Sequence, residues 1–365
     1  MTTERVANFL AGPSSLPVEV LQQAASEMLN YRKQGFGVME MSHRSKEFAE
    51  ICTEAEADMR KLMNMPKEYK VLFLQGGCTG MFAAVAMNFL KGKADYICTG
   101  TWSEKAAKEA EKYGQVNYVV PKPEKYLGVP STDQWKLSPD ADYVYYCFNE
   151  TVGGVEFENI PETNGVPLIV DMSSNIMTRK IDITKFAAVI AGAQKNLGPA
   201  GLTMVIARED MLGKEQKICP TVWNFKKQAD ADSRLNTPPC YCIYMTGLVF
   251  KWILKNGGVD YFHDLNTKKS KLLYDTIDDS LGFYKPIINE GSRSRVNIVF
   301  RVGGPQGDID VEKKFVEKAK ENGLFGLSGH RSVGGCRASL YNPVTLEQVQ
   351  KLCKFMKDFQ MQNQN

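Results

Sequence analysis

The chain has 365 residues, of which 43% are hydrophobic and 24% are charged, with a formal net charge of +3 at pH 7. This hydrophobicity excludes a disordered protein, and the length predicts a large core and more than one domain. The near-neutral charge gives no reason to expect nucleic acid or an anionic membrane as a partner.

Nine cysteines and three histidines are scattered along the chain. The odd number of cysteines and the lack of a C-x-x-C pair argue against both a disulfide scaffold and a metal site. The first residues, MTTERVANFLAGPSSLP, lack the apolar core of a signal peptide. No apolar run approaches the ~20 residues that span a bilayer. We therefore expect a cytoplasmic protein with reduced thiols and no metal.

Seven short apolar runs follow one another up to residue 210, with helical patterns such as 103–113 between several of them. The runs are YKVLFLQGG, ADYICTG, VNYVVP, DYVYYCFN, VPLIVDMSS, FAAVIAGAQ and LTMVIARED. Continuous apolar strands that alternate with helices indicate a sheet covered on both faces. The sequence therefore predicts an α/β fold with a large, mainly parallel sheet of the seven-stranded type.

The pattern changes after about residue 260. Amphipathic helices are predicted at 311–322 and 345–360, and they mix with strands such as SRVNIVFRV. We assign 16–260 to the large α/β domain and 1–15 with 261–365 to a smaller α+β domain. The boundary is open, because the predicted helix 244–256 fits either part.

A glycine-rich turn, QGGCTGMFAAV, follows the first apolar run and opens a predicted helix. Glycines at a helix start allow backbone N–H groups to reach an anion, and the helix N-terminus favours its negative charge. The spacing is neither G-x-G-x-x-G nor that of a P-loop, so neither a dinucleotide nor ATP is indicated. The alternative is a tight strand-to-helix turn without a ligand.

Two charged residues follow later apolar runs, at the strand ends where ligands bind in α/β sheets. Asp171 follows VPLIV, and a carboxylate buried there needs a cationic partner, unless it merely caps the next helix. Lys195 follows VIAGAQ, where burial would give a neutral, nucleophilic amine; the alternative, which a lone lysine favours, is an ordinary solvated side chain in a loop. An anion cradle, a carboxylate and a lysine together match what pyridoxal 5′-phosphate (PLP) requires.

The chain resembles the phosphoserine aminotransferases, which are fold-type I PLP enzymes of the class-V aminotransferases, nearly from end to end. Nine segments in matching order carry the resemblance: FLAGPSSLP, MSHRSKEF, QGGCTGMFAAV, TGTWSEKA, YCFNETVGGVEF, DMSSN, AGAQKNLGPAGL, LNTPPCYCIY and GLSGHRSVGGCRASLYN. The resemblance implies reversible transamination of 3-phosphohydroxypyruvate with L-glutamate, which yields O-phospho-L-serine and 2-oxoglutarate. It also implies a homodimer with shared active sites.

The resemblance further implies which residues hold the cofactor. Lys195 provides the covalent link and Asp171 pairs with the ring nitrogen, while Trp102 stacks on the ring and Thr151 contacts the side of its hydroxyl. The residues implied for the cofactor phosphate are Cys78, Thr79, Ser173 and Gln194, with Asn236 and Thr237 from the other subunit.

One segment departs from the family pattern. Many relatives have Gly-Gly-Gly-Arg-Gly or Gly-Gly-Gly-Cys-Gly where this chain has Gly-Gly-Cys-Thr-Gly. Cys78 fits such a turn only if its φ angle stays negative.

For substrate binding, the resemblance implies two His-Arg pairs and one further arginine. Arg337 is implied for the substrate α-carboxylate. The residues implied for the substrate phosphate are His43, Arg44, His330 and Arg331, the first two from the neighbouring subunit. The planar fork of arginine suits both anions, although each His-Arg pair taken alone also fits a solvated surface.

Two classes of alternative remain. One is another enzyme of the same fold, such as an alanine–glyoxylate aminotransferase or a cysteine desulfurase. A desulfurase needs a mobile cysteine, whereas we interpret Cys336 as a packing residue. The other class comprises a non-catalytic binding protein and a nicotinamide oxidoreductase, because fold alone does not determine function.

Overall fold

The structure is a computed structural model that describes residues 5–364. Its strands are β1 (Ala7–Asn8), β2 (Tyr69–Leu74), β3 (Lys93–Ile97), β4 (Gln115–Tyr118), β5 (Val144–Cys147), β6 (Leu168–Asp171), β7 (Ala188–Gly192), β8 (Thr203–Arg208), β9 (Tyr284–Pro286), β10 (Asn297–Val302), β11 (Leu324–Phe325) and β12 (Cys336–Ser339). Its α-helices are α1 (Val18–Ser26), α2 (Lys46–Leu62), α3 (Gly77–Phe89), α4 (Thr101–Ala110), α5 (Phe225–Asp230), α6 (Cys240–Lys255), α7 (Gly258–Asp278), α8 (Ile309–Glu321) and α9 (Leu346–Asn363).

The seven apolar runs of the sequence form one seven-stranded sheet in the order β2-β8-β7-β6-β5-β3-β4. Strand β8 is antiparallel to both of its neighbours, and the other four neighbouring pairs are parallel. The predicted α/β fold with a mainly parallel sheet is therefore confirmed.

Helices cover both faces of this sheet. In β2, Val71 and Phe73 belong to the apolar cluster that includes residues of α2 and α6, whereas Leu72 and Leu74 belong to the cluster of α3 and α4. Successive side chains of a strand point to opposite faces, so each strand contributes to both clusters. Burial on both faces explains why the strands have continuous apolar sequences.

The C-terminal part has its own apolar cluster, around the three-stranded antiparallel sheet β12-β10-β9. The predicted helices 311–322 and 345–360 correspond to α8 and α9. Strand β1 pairs in parallel with β11, which joins the N-terminal segment to this part of the chain. The division at residue 260 stays a prediction, and residues 1–4 of its N-terminal piece lie outside the described residues.

The predicted helix 244–256 corresponds to α6, whose buried residues Ile243, Val249 and Phe250 belong to the apolar cluster of the large sheet. Helix α6 packs mainly against α2. Among residues 5–364, no helix is both long enough and apolar enough to cross a membrane.

Candidate active site

A cavity of about 320 Å³ lies at the carboxyl ends of β5, β6 and β7. This is the edge at which parallel sheets bind ligands. Among the residues named from the sequence, it brings together Cys78, Thr79, Trp102, Thr151, Asp171, Ser173, Gln194, Lys195, His330 and Arg337.

The lysine that follows β7 lies in this cavity and is only 8% exposed. The Nζ atom of Lys195 donates a hydrogen bond of 2.5 Å to Thr151 Oγ1. Its backbone carbonyl accepts a bond of 2.8 Å from Ser14 Oγ, so the N-terminal segment holds the lysine from behind. That segment approaches closely because Gly12 has φ +136° and no side chain, and a Cβ there would lie 3.3 Å from Lys195 Cγ.

The carboxylate that ends β6 is buried beside this lysine. Asp171 Oδ1 accepts hydrogen bonds from the backbone N–H of Ser173 at 2.8 Å and from Ser173 Oγ at 2.5 Å. Burial raises the pKa of Asp171 above its ordinary value, while the charge of Lys195 and the bonds from Ser173 oppose that rise. Because burial prevails, Asp171 is a carboxylate that a cationic ligand in the cavity would stabilise.

In the glycine-rich turn, Cys78 has the backbone conformation that a residue other than glycine requires there. Gly76 and Gly77 have φ angles of +120° and +62°, whereas Cys78 is not in the left-handed region. Cysteine therefore occupies this position without backbone strain. The first turn of α3 leaves backbone N–H groups without helical partners at the cavity, as an anion site requires. Cys78 Sγ lies 2.8 Å from Ser173 Oγ, and burial raises the pKa of its thiol to about 12.

A buried glutamate that sequence reasoning missed positions the tryptophan of the cavity. The carboxylate of Glu150 accepts hydrogen bonds from the backbone N–H groups of Trp102 and Ser103, both at 2.9 Å, and from Ser103 Oγ at 2.6 Å. It caps the N-terminus of α4, where a negative charge is favoured. Glu150 follows β5, so the strand-end signal that identified Asp171 could have found it.

Arg337 and His330 also line the cavity. Arg337 Nη1 donates to the carbonyl oxygen of Thr151 at 3.0 Å, and burial lowers the pKa of its guanidinium. His330 Nδ1 accepts from the backbone N–H of Ser332 at 3.2 Å. Burial, followed by the charges of Arg337 and Arg331, lowers the pKa of His330 and so favours the neutral imidazole.

Five of the residues named from the sequence do not line this cavity: His43, Arg44, Asn236, Thr237 and Arg331. Arg44, Thr237 and Arg331 are exposed, and Asn236 Oδ1 accepts a hydrogen bond from Gln228. The resemblance assigns four of the five to a neighbouring subunit's site, and these assignments stay predictions.

The surroundings of Cys336 and the arrangement of the His, Cys, Asp and Glu side chains bear on two other chemistries, a mobile nucleophilic cysteine and a bound metal ion. Cys336 lies in β12 with 0% exposure, and burial raises the pKa of its thiol. This environment is that of a packing residue and not of a mobile nucleophile. Within residues 5–364, no group of three or more His, Cys, Asp or Glu side chains is arranged to hold a metal ion.

Comparison with known proteins agrees with this geometry. The family described as "Aminotransferase class-V" matches residues 6–352. A phosphoserine aminotransferase of Drosophila melanogaster is 53% identical over 363 residues, which cover 99% of this chain and 100% of that protein. The solved phosphoserine aminotransferase of Bacillus circulans subsp. alkalophilus is 43% identical with a TM-score of 0.95, and the alignment covers 99% of each chain. A PLP-bound phosphoserine aminotransferase of Trichomonas vaginalis is 40% identical with a TM-score of 0.93 and coverage of 97% of this chain and 100% of that one.

Proposed function

The chain belongs to the class-V aminotransferase family, and we propose that it transfers an amino group reversibly between L-glutamate and 3-phosphohydroxypyruvate, with PLP as cofactor. The products are 2-oxoglutarate and O-phospho-L-serine, the amino acid from which serine is made. The observation that carries this proposal is the meeting of Lys195, Asp171 and Arg337 around one cavity. The phosphoserine aminotransferases that align over the whole chain support the same substrates.

The residues of the cavity fit PLP group by group. The N-terminus of α3, with Thr79 and Gln194 beside it, offers hydrogen-bond donors for a phosphate. Trp102 offers a flat wall for the ring, and Asp171 is the buried carboxylate that a protonated ring nitrogen would neutralise. When bound, PLP supplies a ring that withdraws electrons from the substrate's α-carbon and a carbonyl that accepts and returns the amino group.

Lys195 supplies two functions at one atom. Its amine is the attachment point of the cofactor, and once released it moves a proton to and from the substrate's α-carbon. The 2.5 Å bond to Thr151 Oγ1 fixes the direction of Nζ before the substrate arrives. The bond from Ser14 to the carbonyl oxygen of Lys195 holds its backbone.

The substrate's two anionic groups are bound by separate arginines in this proposal. Arg337 binds the α-carboxylate, since it is half-buried in the cavity wall and oriented by the carbonyl oxygen of Thr151. His330 and Arg331 bind the phosphate together with His43 and Arg44 of a second subunit. A site built on such polar pairs rejects a substrate without the phosphate by ~10⁴-fold or more.

We also propose that the enzyme is a cytoplasmic homodimer. Some of the large apolar side chains that are exposed precede the residues assigned to a partner: Leu29 is 84% exposed and Met39 is 63% exposed ahead of His43, and Ile218 is 68% exposed ahead of Asn236. A second subunit that covers these side chains would remove them from water. All nine cysteines are free thiols within the described residues, which suits a reducing compartment.

The visible absorption spectrum of the purified protein tests the proposal. We expect a yellow protein whose band bleaches on addition of O-phospho-L-serine and does not bleach with L-serine. Bleaching by other amino acids but not by phosphoserine would contradict the substrate and retain the cofactor. A Lys195→Ala variant should still bind PLP and should lack turnover, and retained turnover would remove Lys195 from the mechanism.

A further inference from the structure

The hydroxyl of Ser173 has three neighbours within hydrogen-bond distance. Ser173 Oγ lies 2.5 Å from Asp171 Oδ1, 3.0 Å from the backbone nitrogen of Gly192 and 2.8 Å from Cys78 Sγ. A serine hydroxyl has one proton to donate and two lone pairs with which to accept. The three neighbours are therefore enough to use its whole capacity.

The direction of each of these bonds follows from the partner. The backbone N–H of Gly192 can only donate. The thiol of Cys78 keeps its proton because burial raises its pKa to about 12, so it too can donate. The carboxylate of Asp171 can only accept when ionised. The proton of Ser173 therefore points to Asp171, and no donor remains on this side chain for a phosphate.

The two oxygens of Asp171 are consequently unlike. Oδ1 accepts two hydrogen bonds, from the backbone N–H and from the hydroxyl of Ser173. Oδ2 accepts none from the described residues, while Asp171 lines the cavity. Ser173 thus fixes the rotation of the carboxylate with Oδ2 as the oxygen left for a ligand.

From this geometry we propose that Ser173 is a positioning residue for Asp171, in place of the phosphate contact that the family resemblance implies, and that Cys78 holds Ser173 in this role. The proposal rests on the proposed function, because Asp171 needs orienting only if a cationic ring binds beside it. The phosphate is left to the N-terminus of α3, Thr79 and Gln194.

The test compares PLP with pyridoxal, which has the same ring and aldehyde but lacks the phosphate. For each variant freed of cofactor, the Kd of both compounds is measured by absorption titration. The ratio of the Kd of pyridoxal to the Kd of PLP reports what the phosphate contributes to binding. We expect Ser173→Ala to raise both constants by a similar factor of about 10, as loss of a hydrogen bond to a charged group does, and to leave the ratio unchanged. Thr79→Ala is the matched control, and it should weaken PLP alone.

Restoring the hydroxyl separates positioning from a folding defect. Ser173→Thr should recover most of the affinity for both compounds, and Cys78→Ala should weaken both slightly with an unchanged ratio. A fall of the ratio in Ser173→Ala equal to that in Thr79→Ala would overturn the proposal. If the wild-type protein bound neither compound, the proposed function itself would fail and this role with it.

The contact between Ser173 and Asp171 can also be tested in the protein without cofactor. The bonds from Ser173 favour the ionised form of Asp171. In the protein freed of PLP, a ¹³C NMR titration of labelled aspartate should therefore show a higher pKa of Asp171 in Ser173→Ala than in the wild type. An unchanged pKa would contradict the role of Ser173, whatever the substrate of the enzyme.

Discussion

Lys195 Nζ donates a hydrogen bond of 2.5 Å to Thr151 Oγ1. The carbonyl oxygen of the same threonine accepts a bond of 3.0 Å from Arg337 Nη1. Thr151, which follows β5, therefore orients both the amine of Lys195 and the guanidinium of Arg337, through two different atoms. The side chain and the backbone of Thr151 can be separated by mutation.

Thr151→Val removes the hydroxyl and keeps the carbonyl. A hydrogen bond to a charged group contributes about 1.5–3 kcal/mol, so kcat should fall roughly 10- to 100-fold. KM for glutamate should change little, because Arg337 keeps its backbone acceptor. Steady-state kinetics measure both, and Thr151→Ser should recover most of kcat. A raised KM with an unchanged kcat would contradict this assignment.

Arg331 is the test of phosphate recognition. Arg331→Ala should lower kcat/KM for O-phospho-L-serine by about 10-fold or more, since a hydrogen bond to a charged group contributes about 1.5–3 kcal/mol. The slow reaction with L-serine and the Kd of PLP should not change. Arg208→Ala is the control, because Arg208 ends β8 and pairs with Asp210. An equal loss with both substrates would refute the role of Arg331.

A shared active site predicts complementation between two inactive variants. Lys195→Ala and Arg44→Ala each break both sites of their own dimer. A mixed dimer has one site with both defects and one intact site, so random exchange should restore about a quarter of the wild-type activity. The control pairs Lys195→Ala with Asp171→Asn, which both act within one subunit's cavity and should restore nothing. Recovery in neither mixture, despite proven exchange, would contradict the partner assignment of Arg44.

Much of the architecture could be predicted from the sequence because its signals are local. Each strand of the large sheet is a continuous apolar run, and Asp171 and Lys195 follow two of these runs directly. The reversed direction of β8 was not predicted, since apolar content is the same in both directions. The short stretch 193–202 between β7 and β8 could have indicated it, because a parallel connection needs a dozen or more residues.

What the sequence could not predict depends on contacts between distant segments. Ser14 bonds to the backbone of Lys195 across 181 positions, and no periodicity records such a pair. The direction of the Ser173 proton depends on Cys78 and Gly192, which approach from two other elements. The sequence therefore predicted ten of the residues that line the cavity, but the hydrogen bonds between them required coordinates.

The buried carboxylate of Asp171 should cost stability when PLP is absent. Its pKa is raised in the folded protein, mainly by burial. The carboxyl group of Asp171 therefore loses its proton at a lower pH in the unfolded chain than in the folded protein. The free energy of unfolding falls as pH rises from the pKa of the unfolded chain to that of the folded protein. Asp171→Asn removes this charge and keeps the oxygen that accepts from Ser173.

We therefore expect Asp171→Asn freed of PLP to unfold at a higher temperature than the wild type at pH 7, and to lose this advantage at acidic pH. Its kcat should fall by about 10²–10³-fold, the usual effect of removing an electrostatic stabiliser. Thermal unfolding at several pH values measures the first effect. A lower melting temperature at pH 7 would show that burial of this charge is already compensated within the protein.

The last prediction concerns the glutamate that caps α4. Gly100 has an extended backbone, with φ 175°, so its lack of a side chain is not required by the left-handed region. It is required by space, because a Cβ would lie 2.5 Å from Glu150 Cδ. Gly153 lies three residues after Glu150 in the chain, and a Cβ there would meet nothing within 4 Å.

Gly100→Ala should accordingly lower the free energy of unfolding by about 1–3 kcal/mol, the usual cost of forcing extra volume into a packed site. Gly153→Ala should leave it unchanged or raise it by ~0.4–1 kcal/mol, because alanine restricts the unfolded chain. Urea denaturation of both variants measures the difference. Because Glu150 also holds the backbone of Trp102, only Gly100→Ala should weaken PLP binding. Equal behaviour of the two variants would mean that Glu150 can move aside, and that it does not position the tryptophan.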